Sequence, residues 1–276
     1  MYITDFMFDG EWLGDKGYMV CSFGSGSQSE IPNGGNIEFK TTPIFNGERF
    51  LLAKSIYPEV ITATLQICKK TCVADYDPAM TVDEISKLTA WLCRKYFCDL
   101  VVDAPGYFDE DHPENTIYFT GSFTKVTRVE FGGMTIGLTL EFVSNAPFAR
   151  REMVEETLTL EADIFQSIDI NTDYVGDFHP DYMEIACTSD EDLIIRIDDG
   201  SRAVASRTIT AIHNCVIGEV IELYYPEIYS SERDGSELAN NFNFIFPKFE
   251  AGTNRIKSNV NCSVYFGYSP IVNISI

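Results

Sequence analysis

Cations are scarce in this chain. Twenty lysines and arginines face 42 aspartates and glutamates across 276 residues, for a formal net charge of −22. A nucleic-acid-binding surface needs a cluster of phosphate-neutralising side chains, and docking on anionic lipid needs the same. The charge balance argues against both, and a solvated acidic surface is its plain consequence. If the chain formed a ring, carboxylates lining the lumen would repel a DNA backbone and let it slide through without sticking.

Other absences narrow the chemistry. No run approaches the ~18 consecutive apolar residues of a membrane span. Met1-Tyr2-Ile3-Thr4-Asp5 has neither the basic nor the apolar stretch of a secretory signal. The expectation is a chain that folds in the cytosol, with its eight cysteines (21, 68, 72, 93, 98, 187, 215 and 262) as reduced thiols. There are three histidines, His112, His179 and His213, far apart and outside any metalloprotease, nucleophile-elbow or deaminase setting. No G-x-S-x-G occurs, although a Ser-His-Asp triad needs its members close only in space.

The remaining constellations are weak. Gly24-x-Gly26 starts like a phosphate loop, but no helix pattern follows to supply the N-terminus a dinucleotide site needs. Glu155-Glu156 and Asp198-Asp199 fall in a linker and a turn, where solvation explains them. Nothing selects the pair of cleft-flanking carboxylates a glycosidase uses. Cys68-x3-Cys72 and Cys93-x4-Cys98 could supply four zinc ligands, but the spacing is at the edge of the usual range and lacks a Gly-bearing knuckle. Buried apolar thiols are the favoured reading. The chain is therefore expected to be no enzyme, with no catalytic residue, no metal and no cofactor.

Strands are abundant. Ile61, Ala63, Leu65 and Ile67 alternate with Val60, Thr62, Thr64 and Gln66. Met134, Ile136, Leu138, Leu140 and Phe142 form a longer apolar face, and Gly132-Gly133 pairs this strand with Thr124–Phe131 as a hairpin. One helix interrupts the pattern. Thr81-x-x-Glu84 is a capping box, followed at helical spacing by Ile85, Leu88, Leu92 and Tyr96, with Trp91 beside the stripe. This predicts a helix over about 82–96.

The pattern breaks near residue 150. Asn145-Ala146-Pro147-Phe148 ends the long strand and a charged stretch follows, so domains are expected over 1–150 and 151–276. The second half predicts strands near 164–170, 182–188, 193–198, 207–212, 216–225, 241–246 and 262–268. Turns are marked at Asp198-Asp199-Gly200-Ser201 and Asp234-Gly235-Ser236. Such short spacing means an all-β sandwich. The alternation of Phe242, Phe244 and Phe246 is the clearest example. Tyr224, Tyr225, Tyr229, Phe249, Tyr265, Phe266 and Tyr268 add to an aromatic domain; alternation assigns most of these rings to the interior, while a sugar-stacking surface is the alternative. Two loops stand out. Residues 24–36, with Gly24–Ser29 and Pro32–Gly35, suggest a mobile arm, and Asp109, Glu110 and Asp111 sit in an acidic loop.

The order of these pieces resembles the distal tail proteins of long-tailed bacteriophages. At the C-terminal end the shared parts are Asn-Cys-Val-Ile-Gly-Glu-Val-Ile (214–221), Phe-Pro-Lys (246–248), Gly-Thr-Asn-Arg-Ile (252–256) and an aromatic last strand. At the N-terminal end they are the Phe8-Asp9-Gly10 turn, the helix with Trp91-Leu92, and the hairpin before Asn145–Phe148. The resemblance spans nearly the whole chain and implies a mainly β fold: an N-terminal β-sandwich with a single α-helix and a C-terminal galectin-like β-sandwich. It further implies a hexameric ring at the tail tip, made in the host bacterial cytoplasm and carried in the virion. Its partners would be the tail tube protein, the tail-tip protein and tape measure, and the receptor-binding protein. DNA would pass through without specific binding, and no membrane would be engaged. Asp109, Glu110 and Asp111 are then candidates for a partner-facing or lumen-facing loop. A carbohydrate-binding module is the alternative function.

Overall fold

The computed structural model describes residues 3–23, 38–43, 49–55, 60–70, 77–174, 176–198 and 208–272. The expected arm at 24–36, Cys72 and the turn residues 199–201 lie outside them. The architecture is mainly β, as the alternation patterns require. The chain divides into two compact units, Met1–Glu152 together with Val272 onward, and Met153–Ile271.

The first unit is built on a seven-stranded sheet. Its strands are β1 (Phe6–Phe8), β2 (Glu11–Trp12), β3 (Tyr18–Val20), β6 (Thr62–Lys69), β7 (Cys98–Val102), β8 (Phe119–Phe131) and β9 (Met134–Ser144), in the order β2-β1-β7-β8-β9-β6-β3. A separate hairpin pairs β4 (Glu38–Pro43) with β5 (Arg49–Ser55). The two-residue β10 (Ala149–Arg150) lies against Tyr118. The sheet rolls far enough that β3, at one edge, meets the segment before β1: the Val20 N–H donates to the Thr4 carbonyl at 3.2 Å. Asp9 (φ 53°) and Gly10 (φ 75°) make the tight β1–β2 turn, and Gly132 and Gly133, both left-handed, close the β8–β9 hairpin.

Helix α1 (Val82–Leu92) covers this sheet. Thr81 and Glu84 form the expected reciprocal cap, the Thr81 hydroxyl accepting from the Glu84 N–H at 3.3 Å and the Glu84 carboxylate from the Thr81 N–H at 2.7 Å. Ile85, Leu88, Trp91 and Leu92 are buried. Trp91 stacks on Phe6 with centroids 6.0 Å apart and donates its indole N–H to the Phe8 carbonyl at 3.2 Å. The helix stops four residues earlier than periodicity suggests, and Tyr96 is exposed. Arg94 explains this: its guanidinium is held by Asp9 at 2.9–3.0 Å, which turns the chain toward β7. The apolar face of β9 is also shorter than its sequence implies. Leu138, Leu140 and Phe142 are fully enclosed, whereas Met134 and Phe131, beside the hairpin turn, are exposed.

The second unit is a two-sheet sandwich. One sheet has the order β11-β19-β13-β16-β17, from β11 (Val154–Leu160), β13 (Tyr182–Cys187), β16 (Val220–Tyr224), β17 (Glu227–Ser230) and β19 (Cys262–Tyr268). The other has the order β12-β18-β14-β15, from β12 (Gln166–Ile170), β14 (Leu193–Asp198), β15 (Thr208–Ile212) and β18 (Gly252–Ser258). A short β20 (Ile271–Val272) ends the described chain. Met183, Ile185, Ile221, Leu223, Val264 and Phe266 from the first sheet pack against Ile168, Leu193, Ile195, Ile197 and Ile256 from the second.

Four sequence expectations are corrected here. The Phe242–Phe246 alternation is not a strand: Phe242 bridges Ile212, but Phe244 takes φ 56° and points its ring to solvent. Asn243 drives the kink, accepting from the Ile245 N–H at 3.1 Å while donating to the Ile209 carbonyl at 2.8 Å. Asp234-Gly235-Ser236 is a helix start, Asp234 capping α2 (Gly235–Asn240) through the Ser236 and Glu237 N–H groups. Glu155 and Glu156 lie within β11 instead of a linker. Asp198 is buried at the end of β14, its carboxylate 2.8 Å from Arg255, and is no solvated turn residue.

Candidate functional site

The acidic loop is a folded turn. Asp109 accepts from the backbone N–H groups of Asp111 (3.1 Å) and His112 (3.3 Å) and so shapes the bend. Ile117 donates to the Tyr107 carbonyl at 2.8 Å to close the neck, and Phe108 packs edge-on against Trp12. Asp109 is thereby half-buried and partly committed to structure. Glu110 and Asp111 are exposed.

The three histidines do not converge. His112 lies beside Glu114 in the open. His179 is sandwiched against Tyr225, ring centroids 4.0 Å apart, and its burial pushes its pKa down. His213 contacts Asp192 at 2.8 Å, and among the described residues no hydroxyl or thiol occupies its other ring nitrogen. Cys93 is exposed, Cys68 half-buried and Cys98 buried, and they do not gather as ligands.

One cluster with metal-ligand chemistry exists among the described residues: Cys187, Cys215 and Glu219, buried, with ligand atoms within 4.8 Å of one another. The Glu219 carboxylate is already saturated. Arg233 donates to both oxygens at 2.7 and 3.0 Å, joined by the Ser230 hydroxyl and the Val216 N–H. A cation would meet a guanidinium there, so the geometry suits a structural ion pair beside packed thiols.

The most distinctive surface is the outer face of the five-stranded sheet. Register places its residues in rows. Tyr182 of β13 sits opposite Gly267 of β19, and Glu184 of β13 opposite Tyr265 of β19 and Glu222 of β16. On β17, Tyr229 faces Glu222 and Glu227 faces Tyr224. The alternate residues of the same strands (Met183, Ile185, Leu223, Val264) are core, so these side chains point outward. Their rings form a connected strip. Tyr265 lies 5.4 Å from Tyr182, Tyr182 lies 6.3 Å from Tyr224, and Tyr224 lies 6.2 Å from Tyr229.

Two details fix this strip. Tyr182 lies over Gly267, where a Cβ would come within 2.5 Å of the ring, so close packing requires glycine there. The Tyr182 hydroxyl donates to Glu155 at 2.8 Å and that of Tyr229 to Glu227. The Tyr182 phenol is pushed well above its ordinary range by desolvation, with Tyr265 and Glu155 adding to it. The Tyr229 phenol is raised chiefly by its bond to Glu227. None of the five strands contains a lysine, arginine or histidine. Sequence reading named Tyr224, Tyr229 and Tyr265, but alternation assigned most such rings to the interior, whereas these three lie on the outer face; Tyr182, Glu184 and Glu222 it did not single out. The signal that finds them is five cation-free strands in a chain whose other sheet carries Arg196, Arg255 and Lys257.

Comparison with known proteins covers nearly the whole chain. A family model described as a phage tail protein N-terminal domain matches residues 1–146, and one described as a phage tail C-terminal domain matches residues 148–268. None of the curated proteins compared is a significant match. Among solved structures, the Dit protein of phage SPP1, described as a paradigm of the hub adsorption apparatus in phages infecting Gram-positive bacteria, superposes with a TM-score of 0.65 at 13% identity. The alignment covers 97% of this chain and 99% of that one. Chains from the phage p2 baseplate in its activated conformation, with Ca or with Sr, align at TM-scores of 0.47 and 0.48, both at 10% identity and over 96% of this chain and 98% of theirs.

Proposed function

This chain belongs to a family of phage tail proteins, and from that membership we propose that it is a structural hub of the tail tip. The observation that carries the reading is coverage: two tail-domain models account for nearly all the residues, over a fold similar throughout to a hub protein. In this reading residues 1–150 close into a hexameric ring between the tail tube and the tail-tip protein, with the tape measure passing inside. Heterologous contacts close into rings when the rotation fits. Residues 151–276 project as a galectin-like docking domain for receptor-binding protein. The assembly is made in the host cytoplasm, resides in the virion and performs no catalysis.

Charge supports the channel. Six copies at −22 each make an acidic assembly, and Glu110 and Asp111 are exposed carboxylates able to face a lumen. A DNA backbone is repelled by such a wall and does not adhere. Light scattering of the full-length protein with tail-tube protein present, followed by negative-stain imaging, tests the reading. A six-membered ring with a central hole is expected. A chain that stays monomeric with the tube protein present would overturn the ring.

The tyrosine strip favours a second reading, a carbohydrate-binding module, because exposed rings are the stacking platforms that sugars use. Glycan-array binding by the full chain, abolished by Tyr224→Ala, would establish it.

A further inference from the structure

We propose that the outer face of the five-stranded sheet docks a partner protein through arginine side chains, an inference that deepens the docking role given to this unit above. The argument starts from a conflict built into the sheet. Glu184 and Glu222 are registered directly opposite each other on β13 and β16, an arrangement of like charges that destabilises a strand pair. Among the described residues no lysine or arginine relieves it: the five strands hold none, and no ion pair there involves either carboxylate. Glu155 and Glu227 add to the same face. A sheet that breaks a local rule without internal compensation marks a place where something else supplies it.

The chemistry of the face selects the occupant. Guanidinium is planar, bonds carboxylate in bidentate fashion and stacks on aromatic rings. Here a tyrosine ring flanks each carboxylate of the opposed pair, Tyr265 beside Glu184 and Tyr229 beside Glu222, so one arginine can meet a ring and a carboxylate together. A neutral sugar would stack on the rings and leave the Glu184–Glu222 repulsion in place. A metal ion would need converging ligand atoms, and the cluster of that kind among the described residues is the enclosed one at Cys187. The negative field of the whole chain would also speed the approach of a cationic partner.

The test uses full-length protein and a short fluorescently labelled peptide of alternating glycine and arginine, compared with a glycine–lysine peptide of equal charge. The arginine peptide is expected to bind more tightly than the lysine peptide and to weaken as salt rises. Glu184→Gln with Glu222→Gln should weaken it by about tenfold or more, while melting no lower than the parent, because the like-charge pair is gone. Thr157→Lys, an exposed site opposite Tyr265, places an ammonium on the face and should block the peptide independently. Equal binding to parent and variants, or binding of a chitooligosaccharide in place of the peptide, would overturn the proposal. Either result leaves the tail-hub reading to its own ring test.

Discussion

Arg233 and Glu219 form a two-pronged ion pair sealed inside the second unit, with side chains 4% and 0% exposed. Arg233 also donates to the His213 carbonyl at 2.8 Å, tying the turn before β16 to the one after β17. Removing one partner leaves a buried charge uncompensated, which costs about 3–5 kcal/mol. Arg233→Met should therefore lower stability by that amount in urea unfolding. Lys125→Met, which breaks the exposed pair with Glu141, should change it by no more than about 1 kcal/mol.

The same pair sets a pH dependence. Burial alone would raise the Glu219 carboxyl, but Arg233, Ser230 and the Val216 N–H outweigh it and hold its pKa below the usual range. A depressed folded pKa stabilises fully above the unfolded value, about 4.3, and that stability is lost as pH falls through the folded value. Unfolding of the parent should steepen in the acid range below about pH 4.3. An Arg233→Met, Glu219→Leu double variant should lose this component while keeping that of the surface carboxylates.

Gly267 offers a cleaner probe of the tyrosine strip. An added Cβ would meet the Tyr182 ring at 2.5 Å and the Met153 sulfur at 3.1 Å, and both must move. Gly267→Ala is expected to cost about 1–3 kcal/mol, as overpacking does, and to change the near-ultraviolet circular dichroism of the tyrosines. An unchanged spectrum would mean that the ring does not rest on Gly267.

Trp91 tests the helix seat. Trp91→Ala removes a buried ring that contacts both Phe6 and Phe8 and should cost about 3–5 kcal/mol. Trp91→Phe keeps a ring but strands the Phe8 carbonyl, for about 1–3 kcal/mol. Chemical denaturation of both variants separates the packing from the hydrogen bond.

These probes also mark what the sequence revealed and what it hid. Strands with an apolar face at a period of two and a clear end, such as Cys262–Tyr268 and Leu193–Asp198, were legible because burial on one face imposes that period. The capping box located the start of α1, but its end depends on Arg94 reaching Asp9, eighty-five residues away. β18 was hidden because Gly252-Thr253-Asn254 reads as a turn; Asn254 is instead buried, its side chain bonded to Glu250 and Gly252 backbone. The docking face was half legible. Its tyrosines were counted but mostly assigned to the core, and the opposition of Glu184 and Glu222 exists only once β13 and β16 are in register.

Phe244 is the residue where local preference and the observed backbone disagree most. It holds φ 56° with a ring 64% exposed, and a non-glycine side chain there costs roughly 1–2 kcal/mol. A tilted contact with Phe242 at 5.4 Å, worth about 0.5–1.5 kcal/mol, compensates it. Phe244→Gly removes both terms and should leave stability within about 1 kcal/mol of the parent. Phe244→Ala keeps the strain and loses the contact, so it should be the less stable of the two. Thermal unfolding of the pair decides the point: if the alanine variant matches the glycine variant, the left-handed backbone at this position carries no strain.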